Sequence, residues 1–251
     1  MAARHALVAL ALVLTGCGTQ ATPASTTGPK VVATTTWEAG FAKAAGALDV
    51  TVIVPKSVVH APDYDPKPSD LATVAKADFV LYAPFEGFAT KITAAAGSSA
   101  KTVEVALDND RDKVKAEVLR LGELFGTRSA AEKWTAAFDT EYARLADEVK
   151  AAWPGGRRPT VVAQAFVGYA AALAGAEVLG TYGPAPVTAS QVAELSAKQP
   201  GFVFDNAHMS TGTVLPDTTA KQVSIVNYPE DDLDLLGVYR VNAKSIAEAL
   251  R

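Results

Sequence analysis

Two of the chain's three histidines occupy the same kind of place. His60 lies in "VVHAPDYDPKPSD", just after the apolar run "VTVIV", and His208 lies in "FVFDNAHMSTG", just after "FVF". Each belongs to a loop that leaves a strand-like segment. Neutral imidazole is a preferred ligand for zinc and other late divalent ions, and carboxylates commonly complete a tetrahedral set around them. Asp63, Glu86 and Asp205 are the carboxylates in the same strand-end segments. Each residue also has a plainer reading. His60 fits a surface loop stiffened by prolines, and His208 fits a turn flanked by Asn206 and Ser210 and followed by a helix. Asp205 fits a turn former, Glu86 a buried hydrogen-bond acceptor. Asp65, Ser69 and Asp70 read as loop and helix-start groups that accept backbone N–H bonds. Tyr64, Trp37 and Phe85 are aromatic candidates for a cleft wall.

The third histidine, His5, falls in "MAARHALVALALVLTGC", which has a short positive start and an apolar run from Ala6 to Leu14. That run is shorter than the roughly 20 residues needed to span a bilayer, so residues 1–17 read as a secretion signal. "LTGC" matches the bacterial lipobox, which makes Cys17 the expected site of lipidation and the anchor to the membrane. Cys17 is the only cysteine, so no disulfide can form within the chain. Residues 18–30, "GTQATPASTTGPK", lack an apolar period and read as a flexible tether. The expected location is the outer face of the cytoplasmic membrane.

A net charge of −4 and a pI near 5.4 supply no basic stripe, which argues against a nucleic-acid partner. An apolar fraction of 49% is enough for a folded core. No nucleophile elbow, phosphate loop or H-E-x-x-H helix is present, so an enzyme is not expected.

The candidate ligands need a scaffold, and the patterning describes one. "VVATTT", "VTVIV", "FVLY" and "TVEVAL" alternate with helical stretches at Trp37–Ala47, Leu71–Ala77 and Gly87–Ala96. Strands alternating with helices predict a parallel sheet with crossover helices. A helix through Val114, Val118, Leu121 and Phe125 stops at Gly126, and Ser129 with Glu132 forms a capping-box pattern for the next. Trp134, Phe138, Tyr142, Leu145 and Val149 recur at helical spacing until "WPGG", which predicts a rod of about 24 residues and ~36 Å. The alternation restarts at "TVVA", with a helix opened by Thr188 and Gln191, a further helix after "GFVFDN", and a last one from Asn242 to Leu250. The expected fold is α/β. It has two lobes, residues 31–128 and 157–251, each with a mostly parallel sheet, bridged by one long linker helix at 129–156. The ligand cleft is expected between the lobes at the strand ends.

"VVATTTWEAGFAKAAG", "VPKSVVHAPDYDPKPSDLATVAKADFVLY", "FEGFATKI", "FVGYAAAL" and "NAKSIAEAL" together resemble the cluster A-I solute-binding lipoproteins of bacterial ABC importers for zinc and manganese. The D-Y-D-P-x-P-S-D run followed by A-D-F-V-L-Y is the most specific of these. The resemblance implies two α/β lobes bridged by a long helix, a divalent metal ion as transported ligand, and ABC permease and ATPase subunits as partners of a monomer. Several family ligands are replaced. Pro62 stands where the first histidine is usual, with His60 two positions earlier. "VALDNDRDKV" has no D-P-H-x-W element, Gln164 stands before "AFVGY" where the third histidine is usual, and the acidic C-terminal ligand has no clear counterpart. Glu86 matches a glutamate that the family places after its third strand.

The expected metal set is therefore His60, Glu86, Asp205 and His208, with Asp63, Tyr64 and Gln164 lining the cleft. One imidazole from each lobe would couple capture of the ion to closure. Two alternatives use the same scaffold: a cleft without the metal site that takes an organic or chelated-metal ligand, for which "VLRLGELFGTRSAAEKW" resembles the linker region of siderophore- and cobalamin-binding proteins, and a surface metallochaperone or interaction protein.

Overall fold

The computed structural model describes residues 28–55, 57–58 and 61–251. The leader, Cys17, most of the tether and His60 lie outside the described residues.

Two four-stranded parallel sheets form the two lobes. In the first, β1 (Lys30–Ala33), β2 (Asp49–Val52), β3 (Phe79–Tyr82) and β4 (Lys101–Glu104) take the order β2-β1-β3-β4. In the second, β5 (Thr160–Gln164), β6 (Glu177–Tyr182), β7 (Phe202–Asn206) and β8 (Lys221–Ile225) take the order β6-β5-β7-β8. The same winding is thus used twice. In each sheet the order reverses between the first and third strands of the lobe, and such a switch point leaves a crevice at the strand C-terminal ends. The expected α/β architecture with parallel sheets is what the structure shows.

Helices α1 (Thr36–Ala44), α2 (Pro68–Val74) and α3 (Ala89–Ala96) connect the first sheet, and α4 (Arg111–Phe125) leaves it. The start of α1 is fixed by a capping box: the Thr35 hydroxyl accepts from the Trp37 N–H at 3.2 Å, and Glu38 Oε2 accepts from the Thr35 N–H at 3.1 Å. Asp110 caps α4, and Gly126 ends it in the left-handed region at φ 72°.

The linker is α5 (Arg128–Ala151), 24 residues long. The expected Ser129–Glu132 box does not form, because the helix already begins at Arg128. Thr127 instead donates to the Ala45 carbonyl at 2.6 Å, and Glu132 pairs with Arg128 at 2.8 Å. Gly122 lets α4 and α5 approach closely, since a Cβ there would lie 2.5 Å from that of Ala131.

In the second lobe α6 (Gly168–Leu173) follows β5, and α7 (Ala189–Ala197) follows β6 with the expected Thr188–Gln191 box. Two expectations are corrected. Residues 207–220 hold turns and coil rather than a helix. The Gln222 side chain pins that connection, accepting from the Val214 N–H at 2.9 Å and donating to the Gly212 carbonyl at 3.0 Å. Val214 and Leu215 plug it into the core. The last helix, α8 (Leu235–Leu250), starts well before Asn242 because Asp234, in "PEDDLDLL", accepts from the Leu236 N–H at 3.1 Å.

One apolar cluster runs through both lobes, from Phe41 and Leu81 to Phe204 and Ile246. Its centre is aromatic: Phe138 of α5 stacks on Trp134 at 5.1 Å and meets Tyr239 of α8 edge-on at 5.0 Å. Smaller clusters fill the far side of each sheet.

Candidate functional site

The strand ends of the two lobes meet at one junction. From the first lobe come Trp37, in the first turn of α1, and Leu107 and Asn109, between β4 and α4. From the second come Ala165, Phe166 and Tyr169 after β5. Together with Asp108 and Gly168, these six line a cavity of about 200 Å³. The junction is stitched by polar contacts: the Trp37 indole donates to Asn109 Oδ1 at 3.3 Å, and Asn109 Nδ2 donates to the Asn227 carbonyl at 2.6 Å. The Tyr239 hydroxyl donates to the Asn109 carbonyl at 2.7 Å. Trp37 also meets the ring of Tyr228, with centroids 5.8 Å apart.

Five buried side-chain atoms among the described residues have no hydrogen-bond partner: Thr34 Oγ1, Glu38 Oε1, Gln164 Nε2, His208 Nε2 and Asn227 Oδ1. All five belong to strand C-terminal ends or to the first helical turn beyond one, after β1, β5, β7 and β8. Buried polar groups are nearly always paired, so orphans at the strand ends of both sheets mark positions where a ligand would supply partners. Their chemistry is mixed: a hydroxyl, a carboxyl, a carboxamide donor, an imidazole and a carboxamide acceptor.

His208 sits in the turn after β7, held by its backbone N–H on Asn206 Oδ1 at 3.0 Å. Its ring stacks on Tyr228, centroids 3.6 Å apart. Burial pushes its pKa down to about 4, opposed in part by Glu230. The imidazole is therefore neutral at pH 7, the form that binds metal.

Asp205, two residues before the turn, is already engaged. Its Oδ1 accepts from the Tyr182 hydroxyl at 2.7 Å, and its Oδ2 accepts from Ser210 Oγ at 2.5 Å and Gln222 Nε2 at 3.2 Å. It is 4% exposed and ties β6, β7, the His208 turn and β8 together. Gln164 is buried, with Oε1 accepting from the Phe166 N–H at 2.7 Å.

Glu86 lies in the turn after β3, where Oε2 accepts from the Ala83 N–H at 3.0 Å. Burial, and then the neighbouring Glu38 carboxyl, push its pKa up to about 8. Glu38 is fully buried and its pKa is also raised, first by burial. Tyr64 packs edge-on to Phe88 at 6.0 Å, and its hydroxyl donates to Asp70 Oδ2 at 2.7 Å, which pushes its pKa up to about 12. Tyr64 thus braces the loop before α2. Asp63 is exposed in a 3-10 turn, Ala61–Asp63.

Among the described residues, no three His, Cys, Asp or Glu side chains are grouped so as to hold a metal ion. The structure pairs Glu86 with Glu38 and gives Asp205 three donors close to His208. Sequence reasoning passed over Thr34, Glu38, Asn109, Asn227 and Tyr228. Their available signal was position, since each falls within a few residues of a strand end.

Residues 31–124 match the sequence model of the ZnuA family, "Zinc-uptake complex component A periplasmic". No curated protein matches the chain. Among solved structures, the laminin-binding protein Lmb of Streptococcus agalactiae, described as bifunctional with adhesin and metal transporting activity, is 17% identical with a TM-score of 0.68, over 89% of this chain and 100% of that one. The binding protein FpvC of Pseudomonas aeruginosa, solved with Mn2+, is 16% identical with a TM-score of 0.66, over 88% and 98%. A Mn-bound periplasmic metal binding protein from Candidatus Liberibacter asiaticus is 14% identical with a TM-score of 0.63, over 89% and 100%. The chain has the fold of periplasmic metal-binding proteins, with α5 as the helix that links its lobes. The likeness is carried in sequence by residues 31–124 and in fold by both lobes.

Proposed function

We propose that this protein is the lipid-anchored, extracytoplasmic solute-binding component of an ABC importer, and that it captures a divalent metal ion, zinc or manganese, between its lobes for delivery to a permease. The observation that carries the reading is His208. It is a neutral imidazole with a buried Nε2 that has no hydrogen-bond partner among the described residues, at the strand-end junction of a fold that matches metal-binding proteins. His60 is the partner imidazole from the first lobe. Asp205, with its acceptors engaged, serves chiefly to fix the turn that presents His208. Cys17 supplies the anchor, and the ion is cargo rather than a resident cofactor.

Calorimetry with zinc and with manganese on the chain from residue 18 onward tests this. One zinc ion per chain is expected, and for both metals the ion held by the imidazoles is expected to bind more than ~10-fold more weakly in His60→Ala and in His208→Ala. Unchanged affinity in both variants would remove the imidazole site.

A second reading is favoured by one observation. The cavity at the junction is walled by Trp37, Phe166 and Tyr169 with Asn109 among them, and the orphan groups nearby include the carboxamides of Gln164 and Asn227. Aromatic walls with a few polar groups suit an organic or chelated-metal ligand. Metal-free binding of such a ligand, with no response to zinc or manganese, would select this reading.

A further inference from the structure

The first lobe carries two buried carboxyl groups with no positive partner. Glu38 is 0% exposed and Glu86 is 4% exposed. Glu38 lies close enough to Glu86 to raise its pKa, and among the described residues no Lys, Arg or His side chain contributes to the electrostatics of either. Thr34 is also fully buried, and its hydroxyl lies close to both carboxyls without the geometry of a hydrogen bond to either. Glu38 Oε1 is without a hydrogen-bond partner as well, whereas its Oε2 is used by the Thr35 cap. Hence the spare oxygens of Thr34 and Glu38 are free of the local framework that their neighbours build.

Their place in the fold is specific. Thr34 follows β1, Glu38 lies in the first turn of α1, and Glu86 is in the turn after β3. β1 and β3 are the adjacent strands between which the sheet order reverses. That is the crevice where α/β sheets bind ligands.

We propose that Thr34, Glu38 and Glu86 form an oxygen-donor site for a hard divalent cation, distinct from the imidazole at His208. Burial disfavours the charged form of both carboxyls and holds protons on them, and one divalent ion would take the place of those protons while giving both orphan oxygens a ligand. Carboxylate and hydroxyl oxygens suit magnesium, calcium or manganese rather than the softer ions that imidazole prefers. The site goes beyond the proposed cargo function: it uses neither histidine, and it assigns Glu86 to this crevice instead of to the set expected with His60, Asp205 and His208.

The test uses Mn2+ as probe, followed by loss of its free EPR signal, and Ca2+ as a competitor. The His60→Ala/His208→Ala double variant is expected to keep one Mn2+ per chain, displaced by Ca2+. Glu38→Gln/Glu86→Gln, which preserves shape, is expected to weaken that ion by more than ~10-fold, and Thr34→Ala by several-fold. Circular dichroism checks that each variant is folded. If the folded double-histidine variant binds no Mn2+, or if the carboxamide variant binds it as the parent does, the carboxyl pair holds only a proton and the proposal is overturned. Failure of the imidazole reading shows up separately, as zinc affinity indifferent to both histidines.

Discussion

The imidazole of His208 lies against the ring of Tyr228 with centroids 3.6 Å apart and planes 22° from parallel, and Tyr228 in turn meets Trp37 of the other lobe at 5.8 Å. The chain of rings runs from the turn after β7, through the segment after β8, to the first turn of α1. Whatever changes the state of His208 therefore acts on a group that touches both lobes.

Protonation of His208 is the first such change. Its folded pKa of about 4 lies below the ordinary value of 6.5 because burial disfavours the cation. Between those two values the unfolded chain binds the extra proton and the folded chain does not, so stability falls as pH drops from 6.5 toward 4 and levels off below. The contribution is about 1–2 kcal/mol once the ring's partial exposure is discounted. Urea denaturation across this range should show the loss in the parent and a flatter profile in His208→Phe, which keeps the stack without the titration.

Asp205 should behave as a structural hub. Asp205→Ala leaves the Tyr182 and Ser210 hydroxyls and the Gln222 amide without their acceptor, at a cost of about 2–4 kcal/mol. Asp205→Asn keeps one acceptor oxygen and should cost less. Denaturation midpoints check the stability, and zinc calorimetry on the still-folded Asp205→Asn checks the ligand role. A modest loss of affinity fits an orienting group, and abolished binding fits a ligand.

The sheets were readable because β-branched runs alternate with helical spacing, and because Gly126 and the Thr188–Gln191 pair are strong local signals. α8 starts earlier than the expected Asn242 because Asp234, in "PEDDLDLL", is a cap, and a single acid among several gives little sign of that role. The connection at 207–220 was misread as helical because parallel strands usually need a crossover helix, whereas here Gln222, Val214 and Leu215 anchor it. At the site, histidines and acids announced themselves by type. Asn109 and Asn227 carry no metal-ligand signature, and Glu38 looks like an ordinary cap residue until the β3 turn is folded over it. Burial of that kind depends on long-range packing that no local pattern encodes.

Asn109 is the polar link between the lobes. Removing its side chain in Asn109→Ala frees the Trp37 indole N–H and the Asn227 carbonyl in a buried place, which costs about 1–3 kcal/mol. The same change should shift Trp37 emission to the red as water enters the junction. Fluorescence on a Trp134→Phe/Trp153→Phe background, leaving Trp37 as reporter, checks this. An unshifted spectrum would show that the indole does not depend on Asn109.

The two lobes should unfold together. Phe138 of the linker helix contacts Trp134 on its own helix and Tyr239 of α8, and Tyr239 reaches back to the Asn109 carbonyl of the first lobe. The largest apolar cluster likewise includes side chains from both sheets, so neither lobe has a complete core alone. One cooperative transition is expected by circular dichroism and fluorescence alike, with coincident midpoints. Phe138→Ala should lower that single midpoint, at a cost of about 3–5 kcal/mol, without splitting it. Two separated transitions in the parent would mean that the lobes are independent folding units, and that the shared aromatic centre contributes little to holding them together.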